Sequence, residues 1–293
     1  MYYRRKILLA VLETFGKNIG RTDLQKLLFL ASMKQSKPCY EFLPYKFGAY
    51  SPQLQQDLNT LVKYNILSES ERGWQLESTE SYTHLLKSID REVVTSLYSD
   101  FASRLGDELI RYTYKNFPFY AFHSEIKSKF LSKMELEKLN QYKVTTDEPI
   151  LATIGYEGRT VEKYIQILIQ NGIQILCDIR KNPLSMKYGF SKKQLQGILK
   201  MVNIEYLHLP GLGIESQNRQ NLNTSEDYQK LFKQYEKTVL VENTTDLEVL
   251  TKLYKEGKRF ALTCFEADIN SCHRSRTAKK LSQLLGNVEV VHL

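Results

Sequence analysis

No apolar run in this chain approaches the roughly 20 residues a helix needs to span a bilayer, so nothing in it reads as a membrane segment. Cysteine is sparse: Cys39, Cys177, Cys264 and Cys272 are too few for a disulfide scaffold in a chain of this length. No CxxC pair occurs, which argues against a zinc ribbon. Cys264, Cys272, His273 and Asp178 are possible zinc ligands by type, but the usual ligand spacings are missing, so no metal is expected. There is no GxGxxG; the glycines of GYEGR sit in too short a turn to imply a dinucleotide, and no cofactor is expected. The opening stretch MYYRRKILLAVLETF is interrupted by Glu13 and followed by no small-residue cleavage site, so it does not read as a signal peptide. The cytoplasm is the expected location, with no membrane partner.

What is present is ordinary for a globular chain: 42% hydrophobic and 25% charged residues. A length of 293 residues predicts two domains. The net charge of +8 permits attraction to nucleic acid or to anionic substrates.

The pattern changes midway. Ile7, Leu8, Val11, Leu12 and Phe15 repeat at helical spacing until Gly16 and Gly20 break the run. Thr22 is positioned to cap a second helix carrying Leu24, Leu27, Leu28 and Leu30, and Ser51 to cap a third carrying Leu54, Leu58, Leu61 and Val62. Between them, EFLPYKFGAYSP reads as an aromatic loop. ILSESERGWQLE reads as two short strands about a turn ending at Gly73. Helix, helix, helix, hairpin predicts a winged helix-turn-helix over residues 1–78. Its basic side chains are Lys26, Lys34, Lys46, Lys63 and Arg72. Phe42, Tyr45, Phe47 and Tyr50 either stack on bases or build the core, the core being the better expectation. A helical extension over 79–143 and a linker at 144–150 follow.

From Leu151 onward, strand-like runs alternate with amphipathic helices: ILATIG, IQILCDI, IEYLHL, KRFALTCFE and VEVVHL, separated by helical stretches. That alternation predicts an α/β domain over 151–293, mostly parallel, with helices on both faces. Ligands of such sheets bind beyond the carboxyl ends of the strands. Four successive strand ends carry polar or glycine-rich groups: Gly155, Glu157 and Arg159; Asp178 and Arg180; His208; and Cys264, Glu266, Cys272, His273 and Arg274. One shared site is expected there. Cys272-His273-Arg274 opens a helix whose free N–H groups favour an anion. Gly155, Arg159, Arg180, Cys272, His273 and Arg274 are the anion-binding candidates. Cys264 is the candidate nucleophile, with Asp178, Glu157, Glu266 and His208 as candidate acids and bases. Cysteine phosphatases and sulfurtransferases use a strand–cysteine–loop–arginine–helix arrangement, but with a shorter loop than the one between Cys264 and Arg274. Plain packing of Cys264 and structural salt bridges for the carboxylates remain the alternatives.

TIGYEGR, DIRKNP, YGFS, YLHLPGLG, CFEADINSCHRS and VEVVHL together resemble the domain of unknown function 488 family across residues 151–293. The resemblance implies a Rossmann-like fold, with motif positions at Gly155, Arg159, Asp178, Arg180, Pro183, His208, Pro210, Cys264, Glu266, Cys272, His273 and Arg274. A single Gly213 stands where the family often shows a glycine pair. GRTDLQKLLFLAS, LPYKFGAYSPQLQQDLNTLVKYNIL and ELIRYTYKNFP are similar to the Panacea antitoxin-like family, domain of unknown function 4065. That similarity implies a setting in bacterial conflict or phage defence, or a DNA-directed role. The expected function is a nucleic-acid-associated hydrolase or transferase acting on a nucleotide or nucleic-acid component. The alternative is a non-enzymatic DNA-binding regulator, or an antitoxin-like protein with a protein partner, carrying an anion-sensing pocket.

Overall fold

The computed structural model describes residues 1–71, 73–142, 144, 148–219 and 224–293; Arg72 and residues 145–147 of the expected linker lie outside them. The chain divides into two compact units, Met1–Lys143 and Val144–Leu293.

In the first unit, α1 (Tyr3–Thr14), β1 (Asn18–Ile19) and α2 (Arg21–Lys34) lead to a hairpin of β2 (Leu43–Tyr45) and β3 (Gly48–Tyr50). That hairpin occupies the segment expected to be an aromatic loop. Then come α3 (Pro52–Lys63), β4 (Leu67–Ser70) and β5 (Gly73–Leu76). Ser51 caps α3, its hydroxyl accepting from the Leu54 N–H, and Pro52 occupies the first turn, where its missing N–H costs nothing. The strands β1, β5 and β4 form an antiparallel sheet in that order, with Ile19 opposite the buried Trp74. Residues 88–138 are helical in five pieces: α4 (Ser88–Phe101), α5 (Asp107–Asn116), α6 (Pro118–Ala121), α7 (Lys127–Phe130) and α8 (Lys133–Lys138).

Phe42 joins the core with Leu24, Leu27, Leu28 and Phe29, as core packing predicts, whereas Phe47 is exposed. Lys26, one of the basic side chains of the winged-helix pattern, is 1% exposed. Its ammonium donates to the carbonyls of Phe47 and Ala49, and it cannot reach a nucleic acid. The β2–β3 hairpin covers this side of α2, so a position that is polar in the helical pattern is enclosed. Lys34 and Lys46 pair with Asp100 and Glu125, and Lys63 is exposed at the end of α3.

The second unit alternates β6 (Ile150–Gly155), α9 (Val161–Gln170), β7 (Ile175–Asp178), α10 (Lys192–Met201), β8 (Glu205–His208), α11 (Ser225–Lys237), α12 (Val239–Glu242), α13 (Thr244–Lys255), β9 (Arg259–Cys264), α14 (His273–Leu284) and β10 (Val290–His292). The five strands form one parallel sheet in the order β10-β6-β9-β7-β8, which makes this unit α/β. Strand alternation sends successive side chains to opposite faces. Phe260 and Leu262 therefore pack with Leu247, Leu250, Ala278 and Leu281 of α13 and α14. Thr263 turns the other way and accepts from the Tyr164 hydroxyl of α9 at 2.7 Å. At the amino end of the sheet, the Arg259 guanidinium donates to the carbonyls of Glu148, Asn171 and Gly172.

Candidate functional site

The ladder places all four expected strand ends on one edge: Gly155 pairs with Cys264, and Asp178 with both Thr263 and His208. They do not all share a face. Asp178 lies beside Thr263 on the side facing α9, while Cys264, two residues after Leu262, faces α14.

Asp178 is fully buried and accepts from the Arg180 backbone N–H at 3.0 Å, from its Nε at 2.8 Å and from the Tyr206 hydroxyl at 2.7 Å. Burial opposes the Arg180 charge, but the Asp178 carboxylate outweighs it and holds the guanidinium above its ordinary range. Burial, then the Asp178 charge, raises Tyr206. Arg180 also donates to the Tyr156 hydroxyl and to the Phe190 carbonyl. Tyr156 stacks on Phe190 with centroids 4.3 Å apart. Asp178, expected as an acid or base, is thus the counterion that fixes Arg180. His208 is locked between the Arg180 carbonyl on Nε2 and the Lys192 ammonium on Nδ1, each at 3.0 Å.

The arginines expected to hold an anion have other partners. Arg274, 1% exposed, donates to the carbonyls of Glu266 and Ala267. It braces the loop between β9 and α14 and does not point a free fork outward. Arg159 donates to the main-chain oxygen of Leu293. Glu157 accepts the Ala267 N–H at 2.9 Å, and the N–H groups of Tyr156 and Glu157 both donate to the Phe265 carbonyl. These bonds stitch the β6 and β9 loops together. Gly155 completes the seam: a Cβ there would lie 1.9 Å from the Glu266 carbonyl oxygen, so that face is closed to an anion. Gly155→Ala is expected to push the Glu266 loop away and to cost about 1–3 kcal/mol, the range for overpacking. Urea denaturation followed by circular dichroism measures it, and an unchanged midpoint would remove Gly155 from this role.

On the α14 face, Cys264, Cys272 and His273 cluster with their ligand-type atoms within 4.8 Å of one another. The Cys264 thiol donates to Glu266 Oε2 at 3.1 Å, and its sulfur lies 3.6 Å from His273 Nδ1. Burial, followed by the hydrogen bond with Cys264, pushes the Cys272 thiol well above its usual range. Cys264 opens on a cavity of about 500 Å³ bordered also by Tyr156, Arg180, Lys181, Lys187, Ile214 and Phe265. The Lys187 ammonium donates to the Tyr156 carbonyl at 3.0 Å, and burial lowers its pKa. A smaller cavity of about 210 Å³ is bordered by Ile214, Glu266 and His273. A larger groove of about 720 Å³, bordered by Leu240, Leu247 and Leu284, lies among α12–α14, away from the strand ends. Cys177 is buried within its strand, and burial raises its thiol. Lys181, Lys187 and Phe190 escaped the site reading because they lie in the β7–α10 loop, which carries no periodic signal. DIRKNP, which holds Lys181, and YGFS, which holds Phe190, are the segments of the sequence that point there.

Residues 160–281 match the family described as Domain of unknown function DUF488. The matched stretch contains Asp178, Arg180, His208, Cys264, Glu266, Cys272, His273 and Arg274. No curated protein and no solved structure matches the chain, and no comparison supports the resemblance of the N-terminal half to the Panacea antitoxin-like family.

Proposed function

We propose that residues 151–293 form a Rossmann-like enzyme domain that hydrolyses, or transfers a group on, a phosphorylated nucleotide or nucleic-acid component. The observation that carries this reading is the cavity bordered by Lys181, Lys187 and Cys264, with Lys181 also 3.6 Å from Glu215 and the Cys264 thiol hydrogen-bonded to Glu266. The lysines hold the anion as point charges. Glu266 takes the thiol proton as the Cys264 sulfur bonds to the electrophilic centre, and returns it to the departing oxygen; water or an acceptor then releases the enzyme. Because Arg274 is turned onto carbonyls, the anion is assigned to the lysines of the cavity and not to the start of α14.

In the same proposal, residues 1–78 form a winged helix-turn-helix that brings the enzyme domain to nucleic acid. Support comes from the element order and from β1 adding to the β4–β5 pair. The exposed Gln56, Asn59 and Lys63 of α3 suit that role, since amide side chains match the adenine edge and lysine matches phosphate.

Calorimetry with phosphate and nucleotides tests the reading. Lys187→Ala is expected to lose about 1.5–3 kcal/mol of binding, a tenfold to hundredfold drop, as for other charged hydrogen bonds. If the wild type binds no anion, or the variant binds as well, the cavity is not the substrate site. Salt-dependent DNA binding without turnover by the wild type would instead favour a regulator.

A further inference from the structure

We infer that Cys264, Cys272 and His273 are ligands of a zinc-class divalent ion, with Glu266 completing the set. A tetrahedral site with bonds of about 2.3 Å to sulfur and 2.0–2.1 Å to nitrogen needs a sulfur–nitrogen edge of about 3.6 Å. Cys264 Sγ and His273 Nδ1 are 3.6 Å apart. The three donor atoms already lie within 4.8 Å of one another, the only such cluster among the described residues. Glu266 Oε2 is 3.1 Å from Cys264 Sγ and is the carboxylate next to the cluster, able to turn in as the fourth ligand.

The imidazole supplies an independent argument. A histidine that binds a metal through one ring nitrogen almost always donates its other N–H to a carbonyl or carboxylate, which fixes its tautomer. His273 Nε2 lies 3.3 Å from the Ile179 carbonyl. A carbonyl can only accept, so Nε2 carries the proton and the Nδ1 lone pair points at the sulfurs. Tyr235 packs edge-on against the ring at 5.5 Å, and its hydroxyl is tied to the Leu212 carbonyl and to Thr277, so the ring plane is held. Packing alone asks for none of this orientation. Two thiols and an imidazole select zinc or a similar borderline-soft ion over magnesium or calcium.

The spacing that hid this site in the sequence is closed by Arg274. By holding the carbonyls of Glu266 and Ala267, it folds the loop back so that the end of β9 meets the start of α14. Binding releases the two thiol protons and leaves two metal thiolates; no oxidant or reductant is needed. The consequence for turnover, unlike the site itself, rests on the function proposed above. With all four ligands on the ion the site keeps no open position for substrate, and a metal-bound Glu266 cannot serve as the acid, so metal loading and turnover exclude each other.

The test is titration of the reduced, metal-free full-length protein with cobalt(II). The expected result is a thiolate-to-cobalt charge-transfer band saturating at one equivalent and displaced by zinc. Cys272→Ser and His273→Asn should each weaken zinc binding more than the roughly 10- to 100-fold that follows loss of an outer partner, while Cys39→Ser leaves it unchanged. Absence of the band in the wild type, or a band that survives both variants, overturns the site. Zinc at one equivalent should stop turnover and a chelator should restore it; full turnover by the zinc-loaded protein overturns the exclusion. A protein that binds cobalt at these residues but shows no metal-free turnover keeps the metal site and loses the nucleophile reading.

Discussion

Asp178→Ala is expected to lower the free energy of unfolding of the second unit by about 3–5 kcal/mol, the range for breaking a buried ion pair from one side. The reason is the stranded charge. Arg180 and Asp178 have side-chain exposures of 6% and 0%, so water does not replace the lost carboxylate. Arg180 would keep its contacts with the Tyr156 hydroxyl and the Phe190 carbonyl, both neutral, and the Tyr206 hydroxyl would lose its acceptor. Asp178→Asn keeps the shape and one acceptor and should cost less. Removing both charges in Asp178→Leu with Arg180→Met should recover part of the loss, because the penalty is the unpaired ion and not the missing contact. Urea denaturation followed by circular dichroism measures all four proteins. A loss under about 1 kcal/mol, as for an exposed pair, would mean that water reaches Arg180 and that the pair is not an anchor.

This pair shows where sequence reading succeeds and where it stops. The strands were visible because β-branched and aliphatic runs end at Gly155, Asp178, His208 and Cys264, and a parallel sheet brings such ends to one edge. Which face each side chain takes is not local information. It depends on the register that sets Asp178 beside Thr263 and Gly155 beside Cys264, and register is chosen by packing across strands far apart in the chain. The partners that Arg274 finds are hidden in the sequence for a related reason. A guanidinium in a sequence shows its charge, but not the carbonyls of residues 266 and 267 that a loop turns toward Arg274. The approach of Cys264 to Cys272 and His273 is not legible in their spacing, because ligand spacing is a signature only when the intervening loop has a standard path. In the first unit, the order of helices and the strand pair at Trp74 could be read from period and turn residues; the burial of Lys26 could not, because EFLPYKFGAYSP, which forms the covering hairpin, shows no strand alternation.

Lys26 leads to the second large effect. Burial, only partly offset by the Asp23 charge, lowers its ammonium from 10.5 to about 7. The folded chain therefore binds fewer protons here than the unfolded chain between about pH 7 and about pH 10.5. Stability attributable to this group rises with pH across that window. Below it both states are protonated and the full cost of a buried charge is felt; above it both are neutral and the cost is gone. A displacement of that size corresponds to on the order of 5 kcal/mol. In Lys26→Met, a chain of similar length fills the site without a charge, at the cost of the hydrogen bonds to Phe47 and Ala49. The unfolding free energy of the wild type, minus that of Lys26→Met, should thus climb by about that amount from mildly acidic to alkaline pH. All other titrating groups are common to both proteins and cancel in the difference. Trp74, the single tryptophan and 2% exposed within this unit, reports the transition by fluorescence. A difference that stays flat across the window would show that the ammonium keeps its ordinary affinity for protons and that the β2–β3 hairpin admits water to it.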